Sequence, residues 1–423
     1  MPTPDDPARR ASASLVVLLL GSALTVMAGA VIAPVVALVQ GEFGVSDTRV
    51  GLLLTVHALS LAAASPMVGR LVDRHGPRAP LTLGLVWYGL AGGGGALAES
   101  FEALLFTRLL FGAGAAAVFV ATTVALLDAV PREAQDRTMG WRSTATSLGG
   151  VLCPLVGGIV ATAGWWAPFV VYLVALPLAL ATWLLLPSKE AAPPIRTPRA
   201  PLGHTRVLVS LCCLFALGSA VLYVVIVFVP LRLHELGARS PLVAAASTAL
   251  MSTAMSITAL AFARLRRRIG LVPVLAGGYA VIGCGLLVLA SVSSPLLLVA
   301  AAGLFGAGFG VTLPALTILL SDAVPATARG RAMALSATAL FLGQFLSPLL
   351  VGPPIERTSI SFGFLGVGLA VLSTSIFIVL RPPTIAGRSR RRAALVRHPD
   401  DGSTAPGHVP EDGAAINVRR RTP

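Results

Sequence analysis

The stretch Gly69-Arg-Leu-Val-Asp-Arg-His-Gly-Pro-Arg-Ala79 sets one carboxylate, Asp73, among Arg70, Arg74, His75 and Arg78, between two long apolar segments. A carboxylate at a helix end can accept hydrogen bonds from the free N–H groups that start another helix, where the macrodipole also favours negative charge. That is the chemistry of a latch, not of bond cleavage. Two more ionisable residues, His57 and Arg108, lie inside apolar segments. A charged Arg in a span costs roughly 2.5–3.5 kcal/mol on insertion scales, so it turns to a cavity or partner, or snorkels to the interface. His57 is the mid-span group that titrates near neutral pH; it reads as a proton-coupling residue or as a packed, hydrogen-bonded one.

Several chemistries find no residues to carry them. There is no Ser/His/Asp, metal-ligand or paired-carboxylate constellation, so neither an enzyme nor a metal site is expected. No Gly-Lys-Ser/Thr phosphate loop supports ATP-driven transport, and no cofactor is implied.

The elements holding these residues must be membrane helices. Apolar residues make up 55% of the 423 and charged residues 12%, with a mean hydropathy of +0.84, whereas soluble domains carry about 25% charged residues. Apolar runs long enough to cross about 30 Å of hydrocarbon recur along the chain. They predict twelve spans, near 14–39, 48–68, 79–98, 102–127, 138–160, 165–187, 206–230, 241–262, 271–291, 294–320, 331–353 and 359–380. Helices satisfy all backbone groups within such spans, and the short alternation of a membrane barrel is absent.

Of the 32 basic residues, all but Lys189 are arginines. Most fall on one side: Arg9 and Arg10, the 70–78 loop, Arg132 to Arg142, Lys189 to Arg206, Arg264 to Arg268, Arg329 and Arg331, and the tail. This bias predicts a multi-pass cell-membrane protein with both termini cytoplasmic. The net charge of +14 is then topology, and nucleic-acid binding is not expected. Residues 1–13 form a short cytoplasmic N-terminus, too plain for a cleavable signal. Residues 14–187 and 206–380 form six-helix bundles, 188–205 a cytoplasmic linker and 381–423 a disordered basic tail. Cys153, Cys212, Cys213 and Cys284 lack metal-ligand spacing and are expected as buried packing residues.

The two bundles are copies. A shift of 194 residues, without a gap, carries Phe111-Gly-Ala-Gly114 onto Phe305-Gly-Ala-Gly308 and Asp128-Ala-Val-Pro131 onto Asp322-Ala-Val-Pro325. The same shift pairs Gly149 with Gly343, Pro154 with Pro348, Gly158 with Gly352 and Gly76 with Gly270. Halves related by an axis along the membrane normal enclose a central cavity, and rocking one against the other exposes it to each side in turn. The equivalent of Asp73 is Arg267, and that of Arg108 is Ala302. The halves share their packing glycines but not these two charges.

Gly69, Leu71, Asp73, Arg74, Gly76, Arg78 and Leu81 resemble the loop signature of the major facilitator superfamily. Within it, the chain is similar to the twelve-helix drug/proton antiporters. Pro77 departs from the pattern, standing where the family has a basic residue. The resemblance implies an all-α fold of two pseudo-symmetric six-helix bundles, with Asp73 meeting the start of the eleventh helix near Arg331 to close the cytoplasmic side. It also makes Asp128 a charge partner for Arg74 or Arg78. Arg137 and Arg331, matched by the repeat, are expected as further interdomain or charge partners. Arg108, Gly112 and Gly114 look like the family's Arg-x-x-x-Gly-x-Gly, whose Arg is associated with proton transfer. Gly149, Pro154, Gly157 and Gly158 are similar to the antiporter signature of the fifth helix, which is linked with export and here carries Cys153 in place of a Gly. Pro154 favours a kink and the glycines allow close helix approach.

The expectation is a secondary carrier, working as a monomer in the bilayer. It exports small lipophilic or neutral molecules by alternating access, with protons as counter-ions. An anionic group on the cargo would sit near Arg108, and Pro34, Tyr223, Phe228 and Gln344 are expected near the cavity. The alternative is a uniporter or proton symporter importing a sugar, organic acid or other metabolite on the same scaffold.

Overall fold

The computed structural model describes residues 7–131, 134–187, 205–325 and 328–381. Apart from Thr205 and Arg381, the expected linker and tail lie outside the described residues, as does the chain before Pro7.

Every regular element among the described residues is helical. The first half holds α1 (Pro7–Ala30, continued by a 3₁₀ turn Ala33–Val35 and by Val36–Phe43), α2 (Asp47–His75), α3 (Arg78–Gly93), α4 (Phe101–Asp128), α5 (Gln135–Val160) and α6 (Ala167–Val170, Val171–Val174 as 3₁₀, Ala175–Leu185). The second half holds α7 (Thr205–Glu235), α8 (Pro241–Ile269), α9 (Leu271–Ser291), α10 (Pro295–Ala323), α11 (Arg329–Arg357) and α12 (Ile360–Leu380). Among the described residues eleven of these paths are long and apolar enough to cross a membrane. The twelfth, α3, is shorter and reaches Leu97 through a 3₁₀ turn at Gly94–Leu97.

Local chemistry sets the helix ends. Ser46, Ser100 and Ser359 precede α2, α4 and α12, and their hydroxyls accept from Arg49 N, Ala103 N and Phe362 N, satisfying N–H groups that a helix start leaves free. The α2–α3 and α8–α9 turns hinge on Gly76 (φ 71°) and Gly270 (φ 92°). These are equivalent positions of the repeat, in backbone conformations that a side chain strains. The breaks in α1 and α6 fall at Pro34 and after Pro168, where the missing N–H weakens the ladder.

Within the halves α2 packs on α4 and, equivalently, α8 on α10; between them α2 meets α11 and α5 meets α8. Cys213 and Cys284 are exposed and Cys153 and Cys212 only partly covered, which corrects the expectation that all four are buried. Cys153 and Cys212 still pack against the core, while Cys213 and Cys284 lie on exposed helix faces, which in a membrane chain can meet lipid at little cost to a small apolar thiol.

Candidate functional site

The seam between the halves is sealed at one end. A Cβ on Gly51 of α2 would come within 2.6 Å of Pro348 Cβ on α11, and one on Gly158 of α5 within 2.6 Å of Ala245 Cβ on α8. Gly352 lies against Thr48 in the same way. The Thr48 N–H donates to Glu356 Oε1 across 2.9 Å, a bond from the first turn of α2 to the last turn of α11. Small residues let the four helices meet backbone to backbone. The α5–α8 and α2–α11 contacts use matched repeat positions, so the seal is two-fold.

The opposite end holds the 69–79 loop. Here Arg70, Leu71, Asp73 and Arg74 at the end of α2 are exposed, as are Arg264 to Arg268 of α8 and Arg329 and Arg331 of α11. Asp73 makes no hydrogen bond or ion pair with the described residues, so the cap on α11 is not formed in this state. Arg78 donates to the Trp183 carbonyl oxygen at 2.6 Å, its guanidinium 4.3 Å from that ring. It is thus engaged by α6 of its own half. Asp128 closes α4 and is exposed, and Arg137, also exposed, stacks on Trp141 at 4.7 Å.

Deep in the first half, Arg108 is fully buried, which rules out snorkelling. One guanidinium nitrogen donates to the Ala28 carbonyl oxygen of α1, two residues before its first segment ends at Ala30. The cation lies 4.0 Å from the Phe111 ring and 5.1 Å from Tyr172, a cation–π cage. Tyr172 Oη also donates to Ala28 O at 2.8 Å, and Tyr88 Oη to Leu24 O at 2.7 Å. His57 is buried too, its ring edge-on to Phe111 at 5.8 Å. Arg108 Nε and Nη1 and His57 Nδ1 have no partner.

The repeat shows what this cluster is not needed for. Gly112 seats α4 on the His57 backbone, and Gly306 seats α10 on the Met251 backbone. Gly114 packs on Tyr88 and Gly84, and Gly308 on Ile282 and Gly278. The same helix packing therefore exists in the second half with Met251 for His57 and Ala302 for Arg108. Close packing accounts for the glycines and leaves the charges to another role.

The sequence model of the Major Facilitator Superfamily matches residues 18–348 and again 211–412. The chain belongs to that superfamily. The 3-(3-hydroxy-phenyl)propionate transporter of Escherichia coli K12 is 30% identical over 361 residues, covering 80% of this chain and 86% of the relative. Multidrug resistance protein 1 of Bacillus subtilis 168 is 26% identical over 185 residues, 44% of this chain and 46% of the relative. The crystal structure of a D-xylose–proton symporter superposes with a TM-score of 0.73 at 17% identity, covering 87% of this chain and 97% of that one. The chain is thus a secondary transporter of the superfamily and not an enzyme.

Within the superfamily framework, the fifth-helix glycines each have a neighbour. Gly149 and Gly157 pack on Ala23 and Val31 of α1, Gly158 on α8, and Pro154 lies inside α5. Of the expected cavity residues, Pro34 and Phe228 are buried, and Gln344 is buried with its Nε2 unpartnered. A Cβ at Gly29 of α1 would lie 3.4 Å from Tyr223 Oη of α7, so Tyr223 does stand between the halves.

Three participants were not legible from the sequence. Glu356 lies 308 residues from its partner, and no local signal marks it. Tyr172 sits beside the α6 break. Arg142 counted as one more basic residue of its side. Within the expected span 138–160, it sits two turns from Gln135 in α5, with its guanidinium 5.6 Å from the Phe119 ring and its Nε buried without a partner, contacts that no local signal marks.

Proposed function

We propose that this superfamily member is an exporter working by alternating access in the cell membrane, with both termini in the cytoplasm and protons as counter-ions. Its cargo is small and lipophilic, neutral or carrying an acidic group. The observation that carries the mechanism is the asymmetric seam, tight from Gly51–Pro348 to Thr48–Glu356 at one end and exposed around Asp73 at the other. Rocking the halves breaks the first set of contacts and brings Asp73 to the start of α11, whose free N–H groups suit a carboxylate. Export is supported by the resemblance of Gly149, Pro154, Gly157 and Gly158 to the antiporter signature, with Gly149 and Gly157 seated on α1 and Gly158 on α8 at the seal. Arg108 and His57 are the coupling groups this reading assigns, since no Asp or Glu is available in mid-span.

Import of a small aromatic acid is the second reading. It is favoured by the identity to the 3-(3-hydroxy-phenyl)propionate transporter, which extends over most of both chains.

Uptake of a compound panel into energised inverted vesicles, with and without an uncoupler, separates the two. Accumulation that collapses with the uncoupler supports antiport, whereas accumulation only in right-side-out vesicles would establish import. Asp73→Asn tests the latch, and unchanged turnover in that variant removes it.

A further inference from the structure

The anchor for an acidic cargo is not Arg108. That guanidinium is fully buried, tied to Ala28 O and enclosed by Phe111 and Tyr172, so a molecule arriving from the exposed end meets it only after α1, α4 and α6 part. A second arginine has the opposite disposition. Arg142 of α5 is partly exposed, forms no ion pair with the described residues, and keeps a buried, unpartnered Nε. Its guanidinium faces the ring of Phe119 on α4. Phe119 in turn meets Phe341 of α11, in the other half, edge to face at 6.1 Å.

By helix rise these side chains lie roughly 10–18 Å in from the loop-bearing end, about midway to the seal. One turn further along α11, Gln344 is buried with Nε2 unpartnered. An unpaired guanidinium donor, two rings from opposite halves and an unpaired amide donor thus sit within a short stretch of the seam. A cation in a span without a carboxylate partner marks a functional site. Guanidinium matches a carboxylate bidentately, while rings take a flat apolar body.

We infer that Arg142, Phe119 and Phe341 form the cargo site for a small aromatic carboxylate, with Arg142 pairing the acid group, the two rings clamping the aromatic body and Gln344 donating to a polar substituent. Because Phe119 and Phe341 belong to different halves, rocking opens and closes the clamp. The inference deepens the transport reading and rests on cargo passing through this seam.

The test uses the full chain in lipid nanodiscs and a matched series of arylalkanoates and their neutral amides, 3-phenylpropionate and 3-phenylpropanamide first, with binding read by equilibrium titration. A charge-assisted pair contributes about 1.5–3 kcal/mol, so the wild type should prefer each acid over its amide by about tenfold or more. Arg142→Gln should abolish that preference, leaving amide binding within about twofold, and Arg142→Lys should keep part of it. Phe341→Leu should weaken acid and amide alike and leave an aliphatic acid unaffected. No acid preference in the wild type, or an unchanged preference in Arg142→Gln, overturns the site. If Arg142→Gln fails to fold, a full acid preference in Arg142→Lys together with normal binding in Phe341→Leu overturns it as well. Binding needs no gradient, so an acid preference that depends on Arg142 survives even when vesicle transport fails, and the two readings fall separately.

Discussion

At the residue scale, Arg108 is costly to bury, since it is fully enclosed with two nitrogens unpartnered. Replacing a buried ionic group with an apolar one of similar size is often neutral or stabilising. Arg108→Met should therefore keep or raise the thermal midpoint in detergent while transport falls at least about tenfold. Loss of folding together with activity would make the arginine structural. Gly76 makes the reverse case. Its φ of 71° with ψ of 171° is a conformation open essentially to Gly, and Gly76→Ala should cost about 1–3 kcal/mol, seen as a lowered unfolding midpoint. The unusual standing of Arg108 was legible in the sequence because Ala302 replaces it in an otherwise matched segment. Its burial was not, because snorkelling and caging differ only in where Phe111, Tyr172 and Ala28 O lie.

At the element scale, α2 and α11 carry the Gly51–Pro348 and Thr48–Glu356 contacts of the seam. Glu356 holds the start of α2 through Thr48 N, an exposed contact at a helix terminus where a negative charge contributes about 0.3–1 kcal/mol. Glu356→Ala should shift the balance away from the sealed state by roughly twofold to fivefold. Thiol labelling of a cysteine placed at Ala245, in a background without the native cysteines, measures this; an unchanged rate shows the bond to be incidental. Gly306→Val should drive α10 off the Met251 backbone and abolish folding, a loss read as aggregation in size-exclusion chromatography. Span number, order and duplication could be read from hydropathy and spacing, because lipid imposes them on composition. The interruptions in α1 and α6 and the pairing of Thr48 with Glu356 could not, because they depend on contacts far apart in the chain.

At the scale of the whole molecule, the duplicated bundles share one packing scheme, and the proposed function assigns its roles to positions where the copies differ: Asp73 against Arg267, Arg108 against Ala302, His57 against Met251. Exchanging Asp73 and Arg267 in a double variant should preserve the net charge and the fold yet abolish transport, which vesicle assays and thermal unfolding read separately; retained transport would mean that the latch works from either half. The seal itself has an electrical consequence. At Gly51–Pro348 and Gly158–Ala245 the helices meet with no room for even one water, which needs a polar pocket of about 10–15 Å³. A file of waters there would conduct protons and dissipate any gradient held across the membrane. Packed glycines and prolines make that end a dielectric, so the membrane stays charged while the other mouth stands open.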